Sequence, residues 1–191
     1  MGSKLPLAYY GDGVLRKKTQ QVSEITPEIC QLVEDMVETM RSHDGIGIAA
    51  PQVHHSHAIF VTEVPIEDSD DENSWTPGPL LVFINPKIVG YSEQLWIRGE
   101  GCLSIPGVYG EVVRPVTITV QAMDLEGHSF EMECSWLQAR AILHENDHLN
   151  GVLFIDRIQG KARQELDGEL TQLKKKLKEG WIPKVKRAQE S

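Results

Sequence analysis

The most constraining feature of this sequence is the run LHENDHLNG at residues 143–151. It places His144 and His148 four residues apart, and Glu145 directly follows the first histidine. On a helix this spacing puts both imidazoles on one face, one turn apart, where they can bind a single ion with the glutamate beside it. The alternative is an ordinary amphipathic helix end whose histidines face solvent or the core. Features elsewhere in the sequence are needed to distinguish a metal site from an ordinary helix end.

The length and charge of the chain narrow the class of protein. It has 191 residues, of which 40% are hydrophobic, and this apolar share is enough to fill a single hydrophobic core. We expect a single domain over residues 1–191, with a mobile basic tail over about residues 180–191. The formal net charge of −9 argues against nucleic acid or an anionic membrane as the main partner, and we expect no direct sequence-specific binding of nucleic acid.

The cysteines and the distribution of apolar residues indicate a cellular location. Cys30, Cys102 and Cys134 are widely spaced and odd in number, which is not typical of a secreted disulfide framework. No apolar run is long enough to span a bilayer, and the first residues lack a signal-peptide core. We therefore expect a cytoplasmic protein with no membrane partner.

Three segments predict helices. The first follows Thr26 as N-cap, and its apolar residues recur at helical spacing. The second carries the histidine pair and follows Ser135, which forms a plausible capping box with Gln138. The third runs from about residue 161 to 178. The apolar stripe of the first helix consists of Ile29, Leu32, Val33, Met36, Val37 and Met40.

Segments rich in β-branched and large apolar residues predict strands between the first two helices. A further strand ends near Gly99, and Gly127 marks a hairpin turn. The acidic segment 66–79 predicts a solvated loop without chemistry. The fold class is therefore α+β, with antiparallel sheets packed around a central metal-binding helix and with an N-terminal and a C-terminal helix. The predicted strands cover residues 58–64, 80–88, 116–124 and 128–134.

A third ligand would identify the chemistry, because a catalytic metal typically takes three protein ligands and a water. One metallopeptidase pattern requires a third histidine where this chain has Phe154, so that pattern is excluded. Another peptidase pattern would use a downstream glutamate, Glu165 or Glu169. The upstream candidate is Cys102, because its neighbouring glycines permit close approach and a thiolate binds divalent metals strongly. A cysteine buried for packing remains the alternative at that position.

Three stretches, in this order, resemble the signature motifs of the peptide deformylase family. They are GIGIAAPQ at residues 45–52, EGCLS at residues 100–104 and HENDHL at residues 144–149. The opening YYGDGVLRKK at residues 9–18 is also similar to the N-terminal segment of that family. The resemblance implies a metal-dependent hydrolase that removes the N-formyl group from the initiator methionine of new polypeptides and releases formate.

The resemblance also implies the metal site. It assigns one divalent ion to Cys102, His144 and His148, with water at the fourth position. It favours Fe(II) in the cell, while Zn(II), Ni(II) and Co(II) suit the same ligands. The implied partners are N-formyl-methionyl nascent polypeptides, and the ribosome is a candidate partner for the lysine-rich tail.

The remaining roles follow from the same resemblance. Glu145 would transfer protons, and the side-chain amide of Gln52 and the backbone N–H of Leu103 would bind the developing oxyanion. Arg140 stands where the family often has an aliphatic residue, so we expect a pocket that is partly open, unless the guanidinium turns outward. Asp147 could orient a neighbour or be solvated. The expected substrate-binding residues are Gly45, Ile46, Gly47, Ile48, Gly99, Leu137, Arg140 and Ala141.

Two competing hypotheses remain at this point. The first is a zinc endopeptidase that uses a downstream glutamate as third ligand. The second is a protein in which the metal is structural, or in which the site binds peptide without turnover.

Overall fold

The computed structural model describes residues 2–68 and 71–183. The helices are α1 (Pro27–Ser42), α2 (Trp136–Leu149) and α3 (Gly160–Lys178). The strands are β1 (Gly47–Ala49), β2 (Ile59–Thr62), β3 (Ile66–Asp68), β4 (Asp71–Thr76), β5 (Leu81–Tyr91), β6 (Leu95–Cys102), β7 (Ile105–Pro115), β8 (Thr117–Met123) and β9 (Ser129–Ser135). Within the described ranges, no helix has the length and apolar character needed to cross a membrane.

Helix α1 forms where the apolar spacing predicts it. Thr26 is the N-cap, and Pro27 is the first helical residue, where its missing N–H costs no hydrogen bond. Every residue of the predicted apolar stripe is buried. The prediction of this helix is confirmed, and its buried face packs against one side of the larger sheet.

The larger sheet has five antiparallel strands in the order β1-β2-β5-β8-β9. Side chains of β2 alternate between its two faces, as the pleat requires. Ile59 and Val61 join the core beneath α1, whereas Phe60 joins the core beneath α2. The sheet therefore separates the two helices, and β1 lies at its edge. The four strands predicted at residues 58–64, 80–88, 116–124 and 128–134 are all present, and β8 and β9 form the expected hairpin at Gly127.

A second sheet consists of the β6–β7 hairpin alone. Its buried residues Val108 and Val112 pack against apolar residues of α3, including Leu166 and Leu170. Strand β7 was not predicted, because its glycines and prolines are typical of a loop. This hairpin carries Cys102 at the end of its first strand.

Helix α2 lies between the five-stranded sheet and the β6–β7 hairpin, and it carries the histidine pair. Ser135 is its N-cap residue, but the predicted capping box is wrong: among the described residues, the Ser135 hydroxyl bonds to Oγ1 of Thr117 at 2.8 Å and caps no helical N–H. The helix ends at Leu149, and Gly151 follows with a φ of +70°, which favours glycine.

The acidic segment 66–79 is not simply a loop, because β3 and β4 pair as antiparallel strands in it, while residues 69–70 lie outside the described part of the chain. The basic tail begins in residues 181–183, which form no helix or strand, and residues 184–191 lie outside the described part of the chain. The α+β fold class with three helices and antiparallel sheets is confirmed. The assignment of the whole chain to one domain stays a prediction.

Candidate metal centre and active site

Three side chains that are distant in sequence converge between α2 and β6. His144 and His148 lie one turn apart on α2, and Cys102 faces them from the end of β6. One donor atom from each residue lies within 4.8 Å of the other two. Sγ of Cys102 is 3.3 Å from Nε2 of His148. This is the only such cluster among the described residues.

The chemistry of these donors fits a metal ion. A thiolate and two imidazoles are ligands that Fe(II), Zn(II), Ni(II) and Co(II) all accept. Burial lowers the pKa of His148 well below its usual value, so its ring is neutral and can donate a lone pair. Burial also opposes the charged form of His144, but its hydrogen bonds to Cys102 and Glu100 outweigh this and raise its pKa well above the usual value. The surroundings of His144 therefore stabilise positive charge.

The alternative third ligands do not belong to this group. Glu165 and Glu169 are exposed on α3, and Glu165 lies 3.7 Å from Nζ of Lys161. Phe154 instead stacks its ring on His144, with the ring centroids 6.2 Å apart. The peptidase alternative therefore lacks its third ligand in this fold.

A buried carboxylate orients the first histidine. Nδ1 of His144 lies 3.0 Å from Oε2 of Glu100, and because an ionised carboxylate only accepts, the imidazole N–H donates. The hydrogen bond leaves Nε2 of His144 available for a metal. Burial would raise the pKa of Glu100, but hydrogen bonds from Arg114 and His144 hold it well below the usual range. Glu100 thus remains ionised.

This carboxylate belongs to a buried ionic network that the sequence did not predict. Arg114 donates to both oxygens of Glu100, at 2.6 and 2.8 Å, and to Oδ2 of Asp147 at 2.9 Å. Asp147 also accepts from Arg157 at 2.5 Å. Of the two alternatives for Asp147, the structure supports orientation of a neighbour, since its exposed fraction is only 5%. The network ties α2 to β6 and β7.

Glu145 lies beside the cluster and is buried. Its exposed fraction is 4%, and its Oε2 has no hydrogen-bond partner in the described part of the chain. Burial raises the pKa of Glu145 to about 7. A carboxylate with this pKa can both accept and release a proton near neutral pH.

Gln52 is held in one orientation. It lies in a short 3-10 turn, Ala50–Val53, and its Oε1 accepts from the backbone N–H of Ala49 at 2.8 Å. Its Nε2 is therefore the donor, 3.3 Å from Oγ of Ser104 and 3.5 Å from Sγ of Cys102. The amide is not a surface group, because Gln52 is 1% exposed.

A cleft of about 530 Å³ opens onto the cluster, a size typical of small-ligand sites. Leu103 lies in its wall beside His144 and Glu145. Ile48 differs from the other expected substrate residues, because its side chain is fully buried in the core beneath α1. Tyr9, Tyr109 and Pro183 also line the cleft and were not predicted. The expected substrate residues in the wall are Gly45, Ile46, Gly47, Gly99, Leu137, Arg140 and Ala141.

Arg140 corrects one expectation. It belongs to the cleft wall, but its guanidinium does not turn outward, since Arg140 is 4% exposed. The guanidinium donates to Glu100 and to backbone carbonyls of the β6–β7 hairpin. The alternative of an outward guanidinium is therefore wrong, and a partly open methionine pocket stays a prediction.

Comparisons with known proteins are consistent across sequence and structure. Residues 4–164 match the family model for polypeptide deformylase. The chain is 44% identical over 164 residues to the peptide deformylase of Thermosynechococcus vestitus, covering 85% of this chain and 84% of that protein. The crystal structure of peptide deformylase from Ehrlichia chaffeensis has a TM-score of 0.84 and 36% identity, covering 94% of this chain and 100% of that one. A peptide deformylase from Synechococcus elongatus, solved in complex with actinonin, has a TM-score of 0.75 and 40% identity, covering 96% of this chain and 90% of that one.

An α+β fold in which a His-Glu-x-x-His helix meets a cysteine from a strand end defines a metal-binding hydrolase. The comparisons narrow this class to one family. The chain belongs to the polypeptide deformylase family, whose enzymes remove the N-formyl group from newly made polypeptides. The predictions of family, enzyme class and activity are confirmed. The family and the converging donors together support a single metal ion without deciding which metal it is.

Proposed function

We propose that Cys102, His144 and His148 hold one divalent ion, Fe(II) in the cell, and that the cleft beside it removes the formyl group from N-formyl-methionyl peptides. The observation that carries this proposal is the meeting of the Cys102 thiol with both imidazoles, within 4.8 Å. When bound, the ion would lower the pKa of water and polarise the formyl carbonyl. Zn(II), Ni(II) and Co(II) remain chemically suitable replacements.

Glu145 is the proton-transfer residue in this proposal. Its buried carboxylate, with a pKa of about 7, takes a proton from the attacking water and later delivers it to the departing amine. It does not need to be a ligand for this role. The free Oε2, which has no partner among the described residues, supports the assignment.

Gln52 and Leu103 stabilise the charge that develops on the formyl oxygen. The amide of Gln52 is already oriented by Ala49, so Nε2 is presented to the site without reorganisation. The backbone N–H of Leu103 supplies a second donor from the residue that follows Cys102. Donors that are fixed in advance stabilise the transition state more than the substrate.

The peptide itself would bind as an added strand. Strand β1 is at the edge of the five-stranded sheet, and residues 45–47 line the cleft together with Gly99. Backbone hydrogen bonds at such an edge recognise peptides with little regard to sequence. Ile46, Leu137 and Ala141 give the methionine side chain an apolar wall. Ile48 contributes through its backbone, because its side chain lies in the core.

The cellular setting is also part of this proposal. The three cysteines all lie within the described residues and form no disulfide, which supports a reducing, cytoplasmic location. The partners are nascent polypeptides and, through the lysine-rich end of the chain, the ribosome. The expected lack of a membrane partner and of sequence-specific nucleic-acid binding stays a prediction.

Formate release tests the proposed function. Protein purified without oxygen should release formate from a formyl-methionyl tripeptide, and the matched peptide without a formyl group serves as the blank. Comparison of formyl-Met with formyl-Ala peptides would measure the contribution of the apolar wall. Full metal loading without any formate release would refute the proposal and favour a binding protein.

A further inference from the structure

Arg140 is a buried cation on α2, four residues before His144 on the same face. Its Nη1 donates to Oε1 of Glu100 at 2.6 Å and to the carbonyl of Val112 at 3.0 Å. Its Nη2 donates to the carbonyl of Trp96 at 2.6 Å. The guanidinium also lies 4.9 Å from the centre of the Trp96 ring. One side chain of α2 therefore contacts both strands of the β6–β7 hairpin.

These contacts connect the two elements that supply the metal ligands. Helix α2 carries both histidines, and β6 ends at Cys102. Glu100 is the group that Arg140 and His144 share: Arg140 bonds to its Oε1, and His144 bonds to its Oε2. A carboxylate has two oxygens in one plane, so fixing one oxygen fixes the direction of the other.

Arg114 donates to the same carboxylate from the other side of the contact. It donates to both oxygens of Glu100 from β7, so it holds the carboxylate to the hairpin. Arg140 holds the same carboxylate to the helix that carries the histidines. Both arginines are buried, and both donate to Oε1 of Glu100, so removing either weakens the hydrogen bonding of one buried carboxylate.

We propose that Arg140 is a positioning residue for the metal centre and acts through Glu100 on His144. The bonds to the carbonyls of Trp96 and Val112 anchor the guanidinium of Arg140, and this guanidinium, together with Arg114, fixes the plane of the Glu100 carboxylate. The Nδ1–H of His144 then donates to Oε2 of Glu100 in one fixed direction. This hydrogen bond sets the orientation of the imidazole ring relative to Cys102 and His148. This inference rests on the metal site of the proposed function.

The test uses metal release, which does not depend on turnover. Wild type, Arg140→Lys and Arg140→Met are loaded with Co(II), and transfer of the metal to an excess of a chelator is timed. Groups that orient metal ligands typically change metal affinity by about 10- to 100-fold. We expect release to be about 10-fold faster in Arg140→Met, with a smaller change in Arg140→Lys, because an ammonium can still reach Glu100.

The absorption bands of bound Co(II) give a second readout that a general loss of stability would not move. They report ligand geometry, so a rotated His144 ring should shift them in Arg140→Met. Arg157→Met is the matched control: Arg157 belongs to the same network, but it contacts Asp147 from a partly exposed position. Unchanged bands and release within about twofold of wild type in Arg140→Met would overturn the proposal.

A double-mutant cycle identifies the route of the effect. Replacing Glu100 with Gln weakens the acceptor that links Arg140 to His144. If Arg140 acts through Glu100, Arg140→Lys should change release much less in the Glu100→Gln background than in wild type. Additive effects would overturn the proposal. A wild type that fails to bind one Co(II) would instead refute the proposed metal site, so the two failures are distinguishable.

Discussion

A β-carbon at Gly47 would lie 2.6 Å from Oε1 of Glu145 and 3.0 Å from its carboxyl carbon. Real β-carbons do not approach other atoms so closely, so only glycine at residue 47 leaves Glu145 in place. The motif GIGIAAPQ and the motif HENDHL therefore meet in space at the proposed proton-transfer group. The close contact gives a steric reason for glycine at this position.

Gly47→Ala should reduce turnover by displacing the carboxylate of Glu145. A misplacement of about 1 Å at a reacting group can cost about 10²-fold in rate, and we expect a loss of this order in kcat. Metal content should stay at the wild-type level, because Gly47 does not touch the ligands. The measurement is formate release by metal-loaded protein, and wild-type kcat in this variant would contradict the steric argument.

Gly168→Ala is the matched control and a prediction of its own. Gly168 lies in the middle of α3, and a β-carbon there would have no neighbour within 4 Å in the described structure. Alanine in place of glycine inside a helix typically raises the free energy of unfolding by about 0.5–1 kcal/mol. We expect that gain in the free energy of unfolding, measured by urea denaturation, with unchanged formate release. A loss of stability would show that the space at Gly168 is needed.

The sequence was most informative where a pattern is local. The spacing of apolar residues predicted α1, and the interval between the histidines predicted the ligand face of α2. Both depend on helical periodicity, which residues a few positions apart determine. Strand β7 was missed because Pro106, Gly107 and Gly110 resemble loop signals, although pairing with β6 overrides that preference.

The other differences between the predicted and the observed contacts involve residues that are distant in sequence. Glu100 and Arg114 are 14 residues apart, and Arg114 and Asp147 are 33 apart, so no local pattern connects them. The position of Glu100 in the EGCLS motif was the available signal, but its partners were not visible. Similarly, the hydroxyl of Ser135 was expected to cap α2, and it bonds across the sheet to Thr117 instead.

Gln52→Leu should lower kcat with little change in KM, because Nε2 of Gln52 is expected to bind the oxyanion and not the ground-state substrate. Removal of one such donor typically costs about 10²- to 10³-fold. Ser104→Ala is the comparison, since it removes a hydroxyl that accepts from the same amide but leaves the donor in place. An equal loss of kcat in the two variants, measured by formate release, would argue against Gln52 as an oxyanion donor.

Cys134 should resist alkylation in the folded protein. It is buried beneath α2, and burial raises the pKa of its thiol to about 11, so very little thiolate forms at pH 8. Cys30 is partly exposed and provides an internal comparison. After brief iodoacetamide treatment, mass spectrometry should find label on Cys30 and not on Cys134, while urea-unfolded protein carries label on both. Equal labelling in the folded protein would contradict the assigned burial.

The most direct test is the metal content of three proteins purified without oxygen, each assayed for formate release. Wild type should carry one ion per chain and release formate. Cys102→Ala should lose the ion and the activity, because two histidines alone leave the metal under-coordinated. Glu145→Gln should keep the ion and lose about 10²- to 10⁴-fold in kcat. A Cys102→Ala variant with stoichiometric metal and wild-type turnover would contradict the assignment of Cys102 as the third ligand.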